Sequence, residues 1–297
     1  MHVFERGWLS SNCILLDDAK TSWLVDSGYS THSVQTLELI ALKLGQRPLD
    51  VLINTHLHGD HCGGNAALQT KYCELVAIIS PGHSALVKEW DASGLFYTPT
   101  GQSCPQFGFE QTLQVGPTIQ LGLQNWEIHA AGGHDPHAVV FFEPVSRILI
   151  SADALWQNGF GVMFPELEGI YAFDEVAATL DLIECLNPDV VILGHGAVFK
   201  YQPEILAVAR QKLDGFIKDP VKLAKHGAKV LLKFKLFEKR KLLFSEFLKW
   251  AANTSCLVEY HHRFFASSEF SVWVEKMCIE LVKAGVATRH GDFILNQ

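Results

Sequence analysis

Between positions 56 and 61, four of six residues can bind a metal ion: His56, His58, Asp60 and His61. No other feature constrains this chain as strongly. Val51-Leu52-Ile53 reads as a short buried strand that delivers the segment, and Gly59 lets the backbone turn sharply after His58. In extended backbone, residues two apart project to the same side, so His56 and His58 point together. Beyond the turn, Asp60 and His61 face a neighbouring point. Gly63 and Gly64 permit close approach where the next helix begins. An isolated histidine is ordinarily a surface or satisfied core residue. Three imidazoles and a carboxylate buried together without a cation would instead leave polar groups unpaired. Neutral imidazole and carboxylate are ligands that suit zinc, and also iron or manganese.

The flanking sequence supplies a strand-rich body. Residues 12–16 and 22–26 read as strands joined by a turn at Asp17-Asp18, and 33–44 as a helix stopped by Gly45. Residues 75–79, 126–130, 138–142, 147–151 and 190–193 read as further strands. Residues 174–186 form an amphipathic helix with Asp174 as its expected cap. Several strands follow one another directly, so an α+β architecture of two mixed sheets with helices outside fits better than a doubly wound parallel sheet. Residues 98–116, rich in Gly, Pro, Gln and Phe, read as one long loop. Phe96, Tyr97, Phe107 and Phe109 there either wall a pocket or cover the core.

Charge divides the chain. Residues 1–215 carry 10 Lys and Arg against 24 Asp and Glu, whereas residues 216–297 carry 14 against 8. This predicts two units, a body over 1–215 that holds the donor segment and a small, mainly helical unit over 216–297. A helix over 204–218 leads into it, and helices over 221–235, 245–252 and 268–284 precede a hairpin over 287–295; three helices followed by a hairpin is a winged-helix order. Lys222, Lys225, Lys229 and Lys233 recur at helical spacing. They form either a phosphate-binding stripe or an ordinary solvated face. The seven cysteines are widely spaced without a C-x-x-C, which argues for reduced thiols rather than a disulfide framework. Cys62 stands out only because it follows His61. No apolar window is long enough for a membrane span, and Met1 to Ser10 shows no secretory signal, so a cytoplasmic protein without membrane contact is expected.

Four more motifs accompany the donor segment in order: Leu24-Val25-Asp26-Ser27-Gly28, Gly132-Gly133-His134-Asp135-Pro136, Ile150-Ser151-Ala152-Asp153-Ala154 and Leu193-Gly194-His195-Gly196. Together with His56-Leu57-His58-Gly59-Asp60-His61 they resemble the metallo-β-lactamase superfamily over about residues 12–200. The resemblance implies an αββα sandwich, with Asp26 orienting the metal loop. It implies two divalent metal ions: His56, His58 and His134 hold the first, Asp60, His61 and His195 the second, and Asp153 bridges them. It also implies hydrolysis by a bridging hydroxide, formed where two metals roughly 3.5–4 Å apart share a water, with Asp60 and Asp153 as catalytic carboxylates that orient it. No cysteine stands at a ligand position, which brings the chain nearer to the glyoxalase II-like, lactonase and RNA-cleaving branches.

His137 departs from the small residue common in the family and is a candidate substrate contact, as are Trp156 and Phe160; Asn158 and Phe164 lie in the same stretch. The remaining histidines, His226 among them, lack ligand spacing and read as structural or surface residues. The function expected from this reading is a dinuclear metal-dependent hydrolase of a small-molecule thioester, ester or lactone. The alternative is a nuclease cleaving RNA phosphodiesters, with the basic C-terminal unit binding nucleic acid. A metal-stabilised scaffold whose C-terminal unit forms a homodimer is the non-enzymatic reading.

Overall fold

A computed structural model of the chain describes residues 1–167 and 169–297. The first sheet follows chain order: β1 (His2–Phe4), β2 (Cys13–Asp17), β3 (Ser22–Val25), β4 (Val51–Ile53), β5 (Val76–Ile79) and β6 (Gln111–Thr112). β1 to β3 pair antiparallel and β3 to β6 parallel. Its connections carry α1 (Ser33–Leu44), α2 (Gly59–Cys62), α3 (Asn65–Lys71), α4 (Ser84–Glu89) and α5 (Tyr97–Thr100). The second sheet contains β7 (Thr118–Leu121), β8 (Gln124–Ala130), β9 (Val139–Glu143), β10 (Ile148–Ala152), β11 (Val190–Leu193) and β12 (Phe199–Lys200). Its pairs are antiparallel except β10 with β11. The β10–β11 connection carries α6 (Phe164–Leu167) and α7 (Phe173–Leu186), and α8 (Pro203–Lys218) follows β12.

Strand alternation builds the layers. Along β2, Ile14 and Leu16 face the second sheet and pack with Trp126, Phe141 and Ile192, whereas Leu15 faces outward onto Ile40 and Leu68 of α1 and α3. The outer face of the second sheet, Val140, Phe142 and Leu149, is covered by α7 and α8. Helices thus cover both outer faces of two stacked sheets, and the αββα sandwich expected from the motifs is present. Each fully buried aliphatic side chain in these layers contributes roughly 1.5–3 kcal/mol.

Beyond α8 come α9 (Pro220–Lys239), β13 (Lys241–Leu243), α10 (Phe244–Ala252), α11 (Ser255–Phe264), α12 (Phe270–Lys283), β14 (Ala287–His290) and β15 (Phe293–Asn296). β13, β15 and β14 make a small antiparallel sheet. The position 215/216, where the charge changes sign, lies inside α8. One apolar cluster runs without interruption from Leu149 and Val191 through Leu213 to Leu231, Trp273 and Leu281.

Some local readings need correction. Asp174 is not the cap of α7. Phe173 is already helical because its ring is anchored in the core, so Ala172 takes the cap position and Asp174 sits in the first turn, where the helix dipole favours an acid. The segment expected as one loop contains α5 and β6, because Tyr97 and Phe107 are buried against Leu57 and Cys62. α11 was not anticipated: only Cys256, Leu257 and Tyr260 are buried in it, too few to make a clear apolar period. No helix among the described residues is long and apolar enough to cross a membrane.

Candidate metal centre

The carboxyl ends of four strands converge on one point, the usual place for a site in a sheet with parallel strands. β3 leads into Asp26, β4 into residues 54–61, β10 into Asp153 and β11 into His195. His134 enters from the β8–β9 connection. The β10–β11 register shifts between Ile150 and Ala152, and Ala152 has φ 44, which re-aims the chain just before Asp153. A β-carbon on Gly194 would overlap the Asp153 carboxylate, so only glycine admits that approach.

All seven candidate ligands come together. Three overlapping groups have their donor atoms within 4.8 Å of one another: His56, His58 and His134; His56, His61 and Asp153; Asp60, His61 and His195. His58 Nδ1 lies 2.8 Å from His134 Nε2. Asp153 stands between the groups. Its Oδ2 is 3.3 Å from His134 Nε2, and its Oδ1 is 3.4 Å from His61 Nε2 and 3.8 Å from His195 Nε2. His195 Nε2 is also 3.2 Å from Asp60 Oδ2.

Hydrogen bonds behind the cluster orient the rings. Asp26 accepts from Thr55 N–H (2.9 Å), Thr55 Oγ1 (2.7 Å) and His61 Nδ1 (2.8 Å). With its proton given to Asp26, Thr55 Oγ1 accepts from His56 Nδ1 (3.1 Å). His134 Nδ1 donates to the Val162 carbonyl (2.6 Å). The His56, His61 and His134 rings thus carry their protons on Nδ1 and turn Nε2 inward. The buried Nε2 atoms of His56 and His61 have no hydrogen-bond partner. Inward lone pairs without donors, ringed by carboxylates, fit a divalent cation and no protein group present.

Electrostatics separates the groups. Burial, reinforced by the neighbouring imidazoles, pushes His56 well below the ordinary histidine pKa, and burial beside His134 lowers His58 to about 4. Burial also opposes charge on His61, but Asp26 and Asp153 outweigh it and raise its pKa well above the usual value. His195 is raised likewise, Asp153 and Asp60 overcoming burial. Against burial, His195 and His61 hold Asp153 well below the carboxylate range, and the His195 hydrogen bond holds Asp60 low.

The cluster floors a cavity of about 630 Å³. Trp156 lines it and donates from Nε1 to Asp153 Oδ1 (3.2 Å). Phe164 lines it too, but Phe160 is a core residue under the Lys212 ammonium. His137 is not at the cavity: it packs edge-on against His83 with centroids 4.6 Å apart, over Gly82, where no side chain intervenes. Cys62 turns its sulfur away from the cluster, to the Tyr97 hydroxyl at 3.1 Å. Several lining residues escaped the sequence reading. Trp8, 55% exposed, stacks on His195 at 5.8 Å and meets Trp156 edge-on at 5.4 Å. Gln102 accepts from Gly59 N–H (3.2 Å). His226, Phe234 and Phe237 of α9 form the far wall. The helical period could have found the α9 face; nothing local marks Trp8.

A model of the metallo-beta-lactamase superfamily matches residues 6–195, and the chain belongs to that superfamily. It is similar to hydroxyacylglutathione hydrolase GloC of Haemophilus influenzae, 28% identical over 199 residues, covering 63% of this chain and 85% of that protein. It is also 28% identical to a hydroxyacylglutathione hydrolase of Dechloromonas aromatica over 178 residues, 60% of this chain but only 54% of that protein, so it spans about half the length of this relative. The superfamily match, together with these relatives, classes it with the metal-dependent hydrolases. Its fold is shared with a metallo-beta-lactamase family protein of Thermus thermophilus, with a TM-score of 0.55 and 16% identity over 100% of this chain and 98% of that one.

Proposed function

We propose that the chain hydrolyses a small-molecule thioester, ester or lactone with two divalent cations held in this cluster. His56, His58 and His134 would hold one, Asp60, His61 and His195 the other, with Asp153 between them. The observation that carries the reading is the placement of Asp153, one carboxylate oxygen toward His134 and the other toward His61 and His195. The nitrogen and oxygen donors suit zinc, and iron and manganese as well. Such a pair supplies Lewis acidity that ionises water near neutral pH and polarises a carbonyl.

The protein's own groups do the rest. Asp60 and Asp153, held ionised, accept a hydrogen bond from the attacking water and orient it. Trp8 stacks on His195 and meets Trp156 edge-on, so two indoles border this point. The names of the hydroxyacylglutathione hydrolase relatives support the thioester within this class.

The RNA-cleaving alternative asks for a free basic face, and the lysine stripe offers little of one. Lys225 and Lys229 both pair with Glu280, at 2.6 and 3.3 Å, and Lys233 is bound by acceptors at the chain's last strand. Elemental analysis combined with a panel of thioesters, esters and lactones tests the proposal. His58→Ala or Asp153→Ala is expected to lower metal content and turnover together. Full turnover with less than one ion per chain would refute it.

A further inference from the structure

The cavity is walled on the side facing the cluster by a single helix face. On α9, His226, Lys229, Val230, Lys233, Phe234 and Phe237 line it, spaced three, one, three, one and three residues apart. That is one stripe of a 3.6-residue helix. Leu231 borders the cavity beside this stripe, and the opposite face, including Ala224, Ala228 and Leu232, is buried in the core. Val230, Phe234 and Phe237 are only half-buried. Leu281 and Ala284 at the end of α12 and Val286 beyond it extend the same apolar wall.

The cavity's cations are already engaged. Among the described residues, two lysines line it, Lys229 and Lys233. Lys229 pairs with Glu280, which Lys225 shares. Lys233 gives its ammonium to Val286 O, Asn296 Oδ1 and Gln297 O, and lies 4.2 Å from the Phe237 ring centroid. An ammonium has three protons to donate, and these three acceptors use them. Burial, with Lys212 and Lys229 nearby, lowers His226 to about 4, so it is neutral near pH 7. A ligand carrying carboxylates, such as a glutathionyl group, would desolvate them here without a free cation to compensate.

Building on the hydrolase reading above, we infer that the substrate is an ester or thioester of an uncharged, apolar acyl group, its carbonyl at the His/Asp cluster and its acyl chain along Phe234 and Phe237. Water adds its oxygen to the acyl carbon as the carbon–sulfur or carbon–oxygen bond breaks. One water proton leaves with the thiol or alcohol, and the new acid releases the other, leaving a carboxylate. The chamber differs from what a hydroxyacylglutathione requires: the short polar acyl group would leave the aromatic wall unused, and the peptide would find no ionic partner.

The test is a series of p-nitrophenyl acetate, butyrate, hexanoate and octanoate on the metal-loaded full chain, with a hydroxyacylglutathione and a hexanoyl thioester compared in parallel. At up to about fourfold per methylene, kcat/KM is expected to rise at least tenfold from acetate to hexanoate. The hexanoyl thioester should outrun the hydroxyacylglutathione. Phe234→Ala and Phe237→Ala should each reduce the hexanoate-to-acetate ratio at least threefold. Calorimetric titration of chelator-treated protein with 2-decanone gives a readout independent of turnover, and binding weakened by either variant is expected. Turnover with a flat chain-length series, or preference for the glutathione thioester, would overturn the inference. Absence of all turnover would sink the hydrolase reading instead, and 2-decanone binding would still decide the chamber: no binding overturns it.

Discussion

Asp26 sets the protonation of two inward-facing imidazoles without entering the centre of the cluster. Its carboxylate takes the His61 proton directly and the His56 proton through Thr55, leaving both Nε2 atoms as lone pairs. Asp26→Asn removes the charge behind His61 and places an amide where an acceptor is needed. Metal affinity is expected to fall about 10–100-fold, read by competition with a chromophoric chelator. The two ligand groups should also respond differently to pH. His61 and His195 have raised pKa values in the metal-free chain, so protons compete with a cation there up to higher pH, and cation affinity rises as pH rises through those values. His56 and His58, with lowered values, present neutral rings well into the acid range. On dialysis from about pH 8 to about pH 5, the chain should lose the ion of the Asp60, His61 and His195 group first, passing through one ion per chain. Simultaneous loss of both ions would count against this order.

At the scale of elements, α9 has two jobs on two faces. One stripe anchors it in the core and the other walls the cavity, so its position sets the distance between the aromatic wall and the cluster. Its start is fixed by Asp219, whose side chain accepts from the Lys222 N–H at 3.0 Å, with Pro220 in the first turn. Asp219→Ala is expected to cost about 1 kcal/mol in chemical denaturation. No measurable change would mean that the core stripe alone fixes the helix end. The lysines on α9 illustrate how spacing misleads. Their recurrence is real, but Glu280 on α12 draws in two of them and the last strand draws in a third. A one-dimensional pattern cannot contain its partner from another helix.

For the whole molecule, the continuity of the largest core cluster matters most. It joins the outer face of the second sheet to α8, α9, α11 and α12, across the point where the charge balance changes. Regions sharing so much buried apolar surface are expected to unfold together. Calorimetry of the full chain should give one transition whose calorimetric and van't Hoff enthalpies agree. Two resolved transitions would instead indicate a separable C-terminal unit.

The seven His and Asp donors that cluster and the two-sheet sandwich were legible from sequence. Each ligand follows an apolar strand within a few residues, and strand periodicity, glycine turns and donor density are all local properties. His137 and Phe160, expected at the pocket, do not line the cavity, because nearness in sequence to a metal-binding motif does not say which face of the backbone a side chain takes. Which walls complete the cavity was decided by tertiary packing alone. Trp8 reaches His195 from the far end of the sandwich's sequence, and the α9 face meets a cluster that begins some 170 positions earlier in the chain. Those contacts arise from the burial of the opposite faces of their elements, a whole-molecule free energy that no short stretch of sequence encodes.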